Sequence, residues 1–394
     1  MWNRFTQSPT QVILTLAVFV GLATAGGALL FGFLIRTANH VFFGLTDQML
    51  AESLGQMLGH FEFKWWFPVI PALGGLIVGP IVFKFAYEAK GHGVPEVMNA
   101  VARLGGIIRP RVAAAKTIAS AICIGSGGSA GREGPIVQIG SAIGSSIGQI
   151  FRMSGDRVKI LVGCGAAAGI SSVFNAPIAG VIFSLEIILG DFAISTFSPV
   201  IISSVVASVV TRSVLGDHPA FAVPEYSLVS AWEMPMYVAM GIGLGAGGVL
   251  FTKTLGWFED VFDKFRMSPM LKPALGGLLL GGVAIFFPQI LADGYETIRL
   301  TLHGDLVWHL MLALVFLKIL ATSLTLGSGS SGGIFAPSLF MGATAGGAFG
   351  VLVNSLWPSQ TANPGAYALV GMAGLVAATT HAPITAMLII FEMT

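Results

Sequence analysis

The chain has 394 residues, 54% of them hydrophobic and only 10% charged, and its mean hydropathy is +0.83. A soluble globular domain carries about 25% charged residues, so the composition excludes one and describes a polytopic membrane protein. The formal net charge of +1 excludes the broad basic face that nucleic-acid binding needs.

The two cysteines, Cys123 and Cys164, stand in apolar runs without metal-ligand spacing. They read as core residues, and no metal or cofactor is expected. Glycine is abundant, 52 of 394 residues, against a usual share of roughly 7%. With no collagen-like period, such a glycine content in a membrane chain points to close helix packing and helix interruption.

Residues 1–9 are polar with one arginine, and residues 11–35 then run without a charge. That run is long enough to cross about 30 Å of hydrocarbon, and no small-residue cleavage site follows it to mark a signal peptide. Residues 37–66 mix polar and apolar types and read as a loop or interfacial segment. Further apolar segments cover 67–85, 112–124, 136–151, 160–176, 177–189, 197–211, 235–257, 273–288, 306–326, 334–357, 367–380 and 383–394. Many fall short of the ~20 residues of a full span or are broken by Gly and Pro. At membrane depth such breaks are tolerated only where backbone is buried in protein or lines a cavity. This is the pattern of a transporter rather than of a simple bundle.

The polar stretch 216–232 divides the chain into two halves, about 67–212 and 235–394, and the halves repeat. Pro71-Ala72-Leu73-Gly74-Gly75 returns 202 residues later as Pro273-Ala274-Leu275-Gly276-Gly277, and Lys116 returns at the same offset as Lys318. The Gly-rich break at 125–135 (GSGGSAGREGP) returns at 327–337 (GSGSSGGIFAP), and Asn175-Ala176-Pro177 through Glu186 returns 206 residues later as His381-Ala382-Pro383 through Glu392. Repeats of this size in a membrane protein place the substrate at their interface, near the midplane, at the paired Gly-interrupted segments.

The chemistry of those breaks is that of an anion site. Helix starts from Ile136 and from Ile334 onward would each offer unpaired N–H donors and about half a positive charge. Aimed at one point, they bind an anion without a full cation, which suits rapid release. A third Gly-rich turn, Gly91-His92-Gly93-Val94-Pro95-Glu96, with Pro95 at a helix start, adds His92 and Gly93 as candidates. No turn ends in Gly-Lys-Ser/Thr, which disfavours a phosphate-binding P-loop.

Glu133 is the sharpest single residue, because an ionised group at membrane depth costs about 2.5–3.5 kcal/mol and needs a reason. One reading makes it a gate that occupies the anion site and leaves when an anion binds or a proton arrives. The other pairs it with adjacent Arg132, although neighbours in a helix do not face each other. Lys116 and Lys318 supply positive potential near the pathway or snorkel to an interface. A hydrolase built on the serines of Gly327-Ser328-Gly329-Ser330 with His381 has no reason to appear as matched turns, and the counterpart of His381 is Asn175, a poor base. An enzyme is therefore not expected.

With these motifs the chain resembles the CLC family of chloride channels and chloride/proton antiporters over essentially its whole length. Gly131-Arg132-Glu133-Gly134-Pro135 and Gly332-Gly333-Ile334-Phe335-Ala336-Pro337 match two signature motifs, and Asn175-Ala176-Pro177 with its following helix matches a third region. The resemblance implies an all-α polytopic membrane protein with two inverted repeats of broken half-helices, forming a single anion-transport domain over residues 1–394. It also implies a homodimer with one chloride pathway per subunit, Glu133 as gating glutamate, and no nucleic-acid partner. Anion contacts are implied from the backbone N–H groups of Ile334 and Phe335 at a central site and of Arg132, Glu133 and Gly134 further out.

The chain departs from the family pattern in three places. His92 stands where the first signature usually has a serine that touches the central anion, so chloride over nitrate stays open. A neutral His92 is expected to donate an N–H to the anion and to hold it more tightly once protonated. Ile187 stands where antiporters carry an inner proton-transfer glutamate, which favours passive conduction, with antiport as the alternative. The first half continues through 197–211 after Glu186, whereas the second stops at Thr394, so the chain reads as C-terminally truncated. The family's last helices, with a tyrosine that contacts the central anion, and any regulatory CBS domains are expected beyond that point. The stretch 103–116, with Arg103, Arg109, Arg111 and Lys116 and no acid, reads as a loop and is expected on the cytoplasmic side, and family habit suggests a bacterial inner membrane.

Overall fold

The structure is a computed structural model that describes residues 9–44, 68–217, 219–221, 223, 226 and 228–394. Fifteen α-helices and no strands are found among the described residues. In the first half these are α1 (Pro9–Phe43), α2 (Val69–Pro80), α3 (Val94–Arg103), α4 (Pro110–Gly125), α5 (Glu133–Ile150), α6 (Gly155–Phe174), α7 (Pro177–Phe183) and α8 (Ile194–Leu215). The second half holds α9 (Glu233–Lys264), α10 (Lys272–Ala284), α11 (Tyr295–His303), α12 (Trp308–Gly327), α13 (Phe335–Leu356), α14 (Pro364–Thr380) and α15 (Pro383–Met393). Six are long and apolar enough to span a bilayer, and shorter apolar helices such as α7, α10, α14 and α15 fill in between. The chain is a multi-pass integral membrane protein.

The two repeats are inverted copies that meet across a local two-fold. A Cβ placed on Gly75 of α2 would lie 2.2 Å from the carbonyl oxygen of Pro273, and one on Gly277 of α10 would lie 2.2 Å from that of Pro71. Such reciprocity is what a two-fold produces, and only glycine lets the two backbones touch. Inside each repeat the same device recurs. Gly140 and Gly165 bring α5 against α6, and Gly342 and Gly371 bring α13 against α14. The long leading helices match as well, since α1 packs on α4, α5 and α6 as α9 packs on α12, α13 and α14. The change of offset from 202 to 206 also has a local cause. α5 has 18 residues and α13 has 22, so the second copy carries one extra helical turn at this point.

Four sequence expectations need correction. Residues 37–43 are the end of α1 rather than loop; the rest of the expected interfacial segment lies outside the described residues except Gly44. The basic stretch 103–116 is largely helix, with only 104–109 between α3 and α4. α3 and α11 were not anticipated as apolar segments, because both are short and amphipathic. Finally, α5 begins at Glu133, three residues before Ile136, and α13 at Phe335. Pro135 and Pro337 therefore sit in the first helical turn but not at its start, where their missing N–H groups cost no intrahelical bond.

Candidate functional site

Three Gly-rich turns meet at the centre of the molecule and are stitched by backbone hydrogen bonds. Gly131 and Gly333 exchange N–H donors at 2.8 and 2.7 Å, Gly91 donates to Ser330 at 3.0 Å, and Gly332 donates back to Gly91 at 3.2 Å. These bonds tie the starts of α3, α5 and α13 together. Glycine permits it: a Cβ on Gly134 would lie 2.3 Å from the carbonyl oxygen of His92 and 3.0 Å from Gly333 Cα. The stitching consumes the N–H groups of the turns themselves. Those of Arg132, Gly134, Ile334 and Phe335 have no partner among the described residues, as expected for donors at a helix start.

Glu133 is 1% exposed and does not pair with Arg132 among the described residues. Its carboxylate accepts from two groups of the other repeat. The Tyr295 hydroxyl donates to Oε1 at 2.6 Å, and the Ala336 N–H donates to Oε2 at 3.3 Å. Oε2 thus rests on the N-terminus of α13, where partial positive charge favours an anion.

The two lysines are buried in the protein and reach no interface. Lys116 Nζ donates to the carbonyls of Ala89 and Gly91 at 3.1 and 2.7 Å, and Lys318 Nζ donates to those of Ile290 and Ala292 at 2.9 Å each. Each lysine therefore pins the turn that leads into a short helix, α3 or α11, whose first cap is a glycine with φ of 83° (Gly93) or 80° (Gly294). The turn before α11 is thus the second-repeat copy of Gly91-His92-Gly93, and it went unrecognised because it lacks the proline.

Two cavities flank Glu133. The smaller, about 220 Å³, is lined by His92, Glu133, Gly134, Ile334 and Phe335, and also by Ile187 and His381. The larger, about 470 Å³, is lined by Arg132, Tyr295, Asp293, Glu296 and Arg36 among others. Five of the expected site residues thus share one cavity. Arg132 faces the other one, and Gly93 is buried behind Gly134. Tyr295 and Ala336 were missed by sequence reasoning. Tyr295 lies in the unrecognised turn copy, which was its only signal, and Ala336 acts through its backbone alone.

Ser328, a candidate nucleophile, is buried and donates to the Thr325 carbonyl at 2.8 Å, while His381 lines the smaller cavity. The reciprocal carboxylates Glu186 and Glu392 stand apart from the gate. Glu392 accepts the N–H groups of Ile178 and Ala179 at the start of α7, at 3.1 and 2.6 Å. Glu186 accepts those of Ile384 and Thr385 at the start of α15, at 3.4 and 2.8 Å. Each repeat caps a helix of the other.

Comparison with known proteins agrees with the fold. A family profile described as voltage gated chloride channel matches residues 74–394. A Ralstonia nicotianae protein carrying the name chloride channel protein ClcB-like is 34% identical, over 97% of this chain and 89% of its own length. The H(+)/Cl(-) exchange transporter ClcA of Vibrio campbellii is 33% identical, over 100% of this chain and 85% of its own. The crystal structure of a slow cyanobacterial Cl-/H+ antiporter superposes with a TM-score of 0.85 at 27% identity, covering 98% of this chain and 90% of that one. The chain belongs to the CLC family of voltage-gated chloride channels and transporters.

Proposed function

We propose that this chain carries chloride, or a similar small anion, across the membrane in exchange for protons, with Glu133 as the gate. The observation that carries the reading is the Glu133 carboxylate itself, buried between two cavities and seated on the N-terminus of a helix from the other repeat. An ionised carboxylate there is a stand-in for the transported anion. An arriving anion competes for the same N–H donors, the carboxylate leaves, and outside its seat it can take up a proton. Binding by N–H groups and helix dipoles rather than by a bare cation keeps release fast. In this reading the N–H groups of Arg132, Glu133, Gly134, Ile334 and Phe335 hold the anion. His92 and Gly93 form the third wall, and Lys116 and Lys318 raise the background potential through the carbonyls they clamp.

Relatives named as chloride/proton exchangers support coupling over passive flow. The second reading, a passive channel, rests on Ile187, an apolar side chain on the cavity wall. A homodimer with one pathway per subunit and a bacterial cell membrane, with Arg103, Arg109 and Arg111 around residues 104–109 on the cytoplasmic side, complete the proposal.

Reconstituted vesicles separate the readings. In an exchanger, a chloride gradient drives protons uphill, and Glu133→Ala abolishes proton movement while chloride still flows. Chloride flux without proton movement in the unaltered protein would establish the channel reading instead.

A further inference from the structure

The Glu133 gate is held from the far side by a residue that the anion-donor picture does not use. Tyr295, the first residue of α11, points its hydroxyl at Glu133 Oε1 from 2.6 Å. The ring is itself fixed. It packs against Phe221 with centroids 5.2 Å apart, and the Arg132 guanidinium lies 5.0 Å from its centroid. Phe221 is in turn tied to the end of α15, its N–H donating to the Met393 carbonyl at 3.0 Å. The hydroxyl therefore does not need ordering before it can hold the carboxylate.

The location gives the contact its meaning. Tyr295 lines the larger cavity but not the smaller, and Glu133 lines the smaller but not the larger. Their hydrogen bond is the partition between the two spaces. It also joins the repeats, one partner opening α5 and the other opening α11. A phenol donates well to a carboxylate, and such charge-assisted bonds are about twice as strong as neutral ones.

We infer that Tyr295 is a latch that holds the Glu133 carboxylate across the pathway and so sets how easily an anion displaces it. The inference rests on the reading of Glu133 as gate. Tyr295 is a positioning residue: it acts on the anion through the carboxylate, without being an anion ligand. Without the hydroxyl, the carboxylate keeps its seat through the Ala336 N–H and the helix dipole alone, so it competes less well with chloride.

The test is a double-mutant cycle on chloride affinity, measured by titration calorimetry on the purified full chain and by the chloride dependence of flux in vesicles. Tyr295→Phe retains the ring, its packing on Phe221 and its place under Arg132, so the fold has no reason to change. In the otherwise unaltered protein it should tighten chloride binding about tenfold, the effect of one hydrogen bond to a charged group. In the Glu133→Ala background the same substitution should leave affinity within about twofold, since there is no carboxylate to release. Equal changes in both backgrounds would make Tyr295 a direct ligand or a structural residue and overturn the latch. No change with Glu133 present would overturn it as well. These failures differ from failure of the gate reading, in which Glu133→Ala itself leaves chloride affinity and flux where they were.

Discussion

At the scale of single residues, the site is most sensitive where three turns share the space of one missing methyl group. A Cβ on Gly134 would meet the His92 carbonyl oxygen at 2.3 Å, and its other neighbour is also backbone, so neither can rotate away. Gly134→Ala should therefore push the starts of α3 and α5 apart. We expect a loss of about 1–3 kcal/mol of stability, as in overpacked cores, and a loss of chloride flux. Thermal unfolding in detergent and vesicle flux check both. Gly26 on α1, with nothing within 4 Å of its Cβ position, is the control, and alanine there should be neutral or slightly stabilising. Glu133 was legible in the sequence because a charge inside a helix break is costly and so conspicuous. Its partners were not, since Tyr295 and Ala336 stand 162 and 203 residues away and only the folded chain brings them near.

At the scale of elements, the halves are held together by an exchange of caps. α7 and α15 both begin with proline after an Asn-Ala or His-Ala pair, and each starts on a carboxylate from the end of the other's segment. Glu186 lies in the π-helical turn that continues α7, and Glu392 lies in the last turn of α15. An acid accepting first-turn N–H groups is worth about 0.5–2 kcal/mol. Glu392→Ala and Glu186→Ala should each lower thermal stability in detergent by about that amount while chloride flux persists. Unchanged stability with lost flux would return either residue to the transport pathway. The repeat of these two acids could be read from the sequence, but their purpose could not, because a cap donated across repeats leaves no local signature. The helix count was legible for the long apolar spans, caught only the proline start of α3, and failed at α11. The short amphipathic sequences of these two helices resemble loops until tertiary packing holds them.

At the scale of the whole molecule, the proposed exchange would use the two cavities separated by Glu133 and Tyr295 as its two sides, and coupling would then depend on how protons reach the carboxylate. On the smaller-cavity side the wall carries Ile187, together with His92 and His381. Transfer through such a space needs either water or titratable groups; the two histidines are such groups, and Ile187 is not. Ile187→Glu tests whether proton delivery through this cavity limits exchange. Ile187 is half-buried against an existing cavity, so the new carboxylate should cost no more than the roughly 3 kcal/mol of a fully embedded acid. If delivery is limiting, the variant should move protons faster at unchanged anion affinity, raising the proton-to-chloride ratio in vesicles under a fixed chloride gradient. The gain should vanish in Ile187→Glu combined with Glu133→Ala, because the relay would then end on no acceptor. Ile187→Gln, similar in size but unable to carry a proton under these conditions, should show no gain. A ratio that stays flat in Ile187→Glu would place the slow step at the gate, and the latch variant Tyr295→Phe would then be the one to quicken turnover.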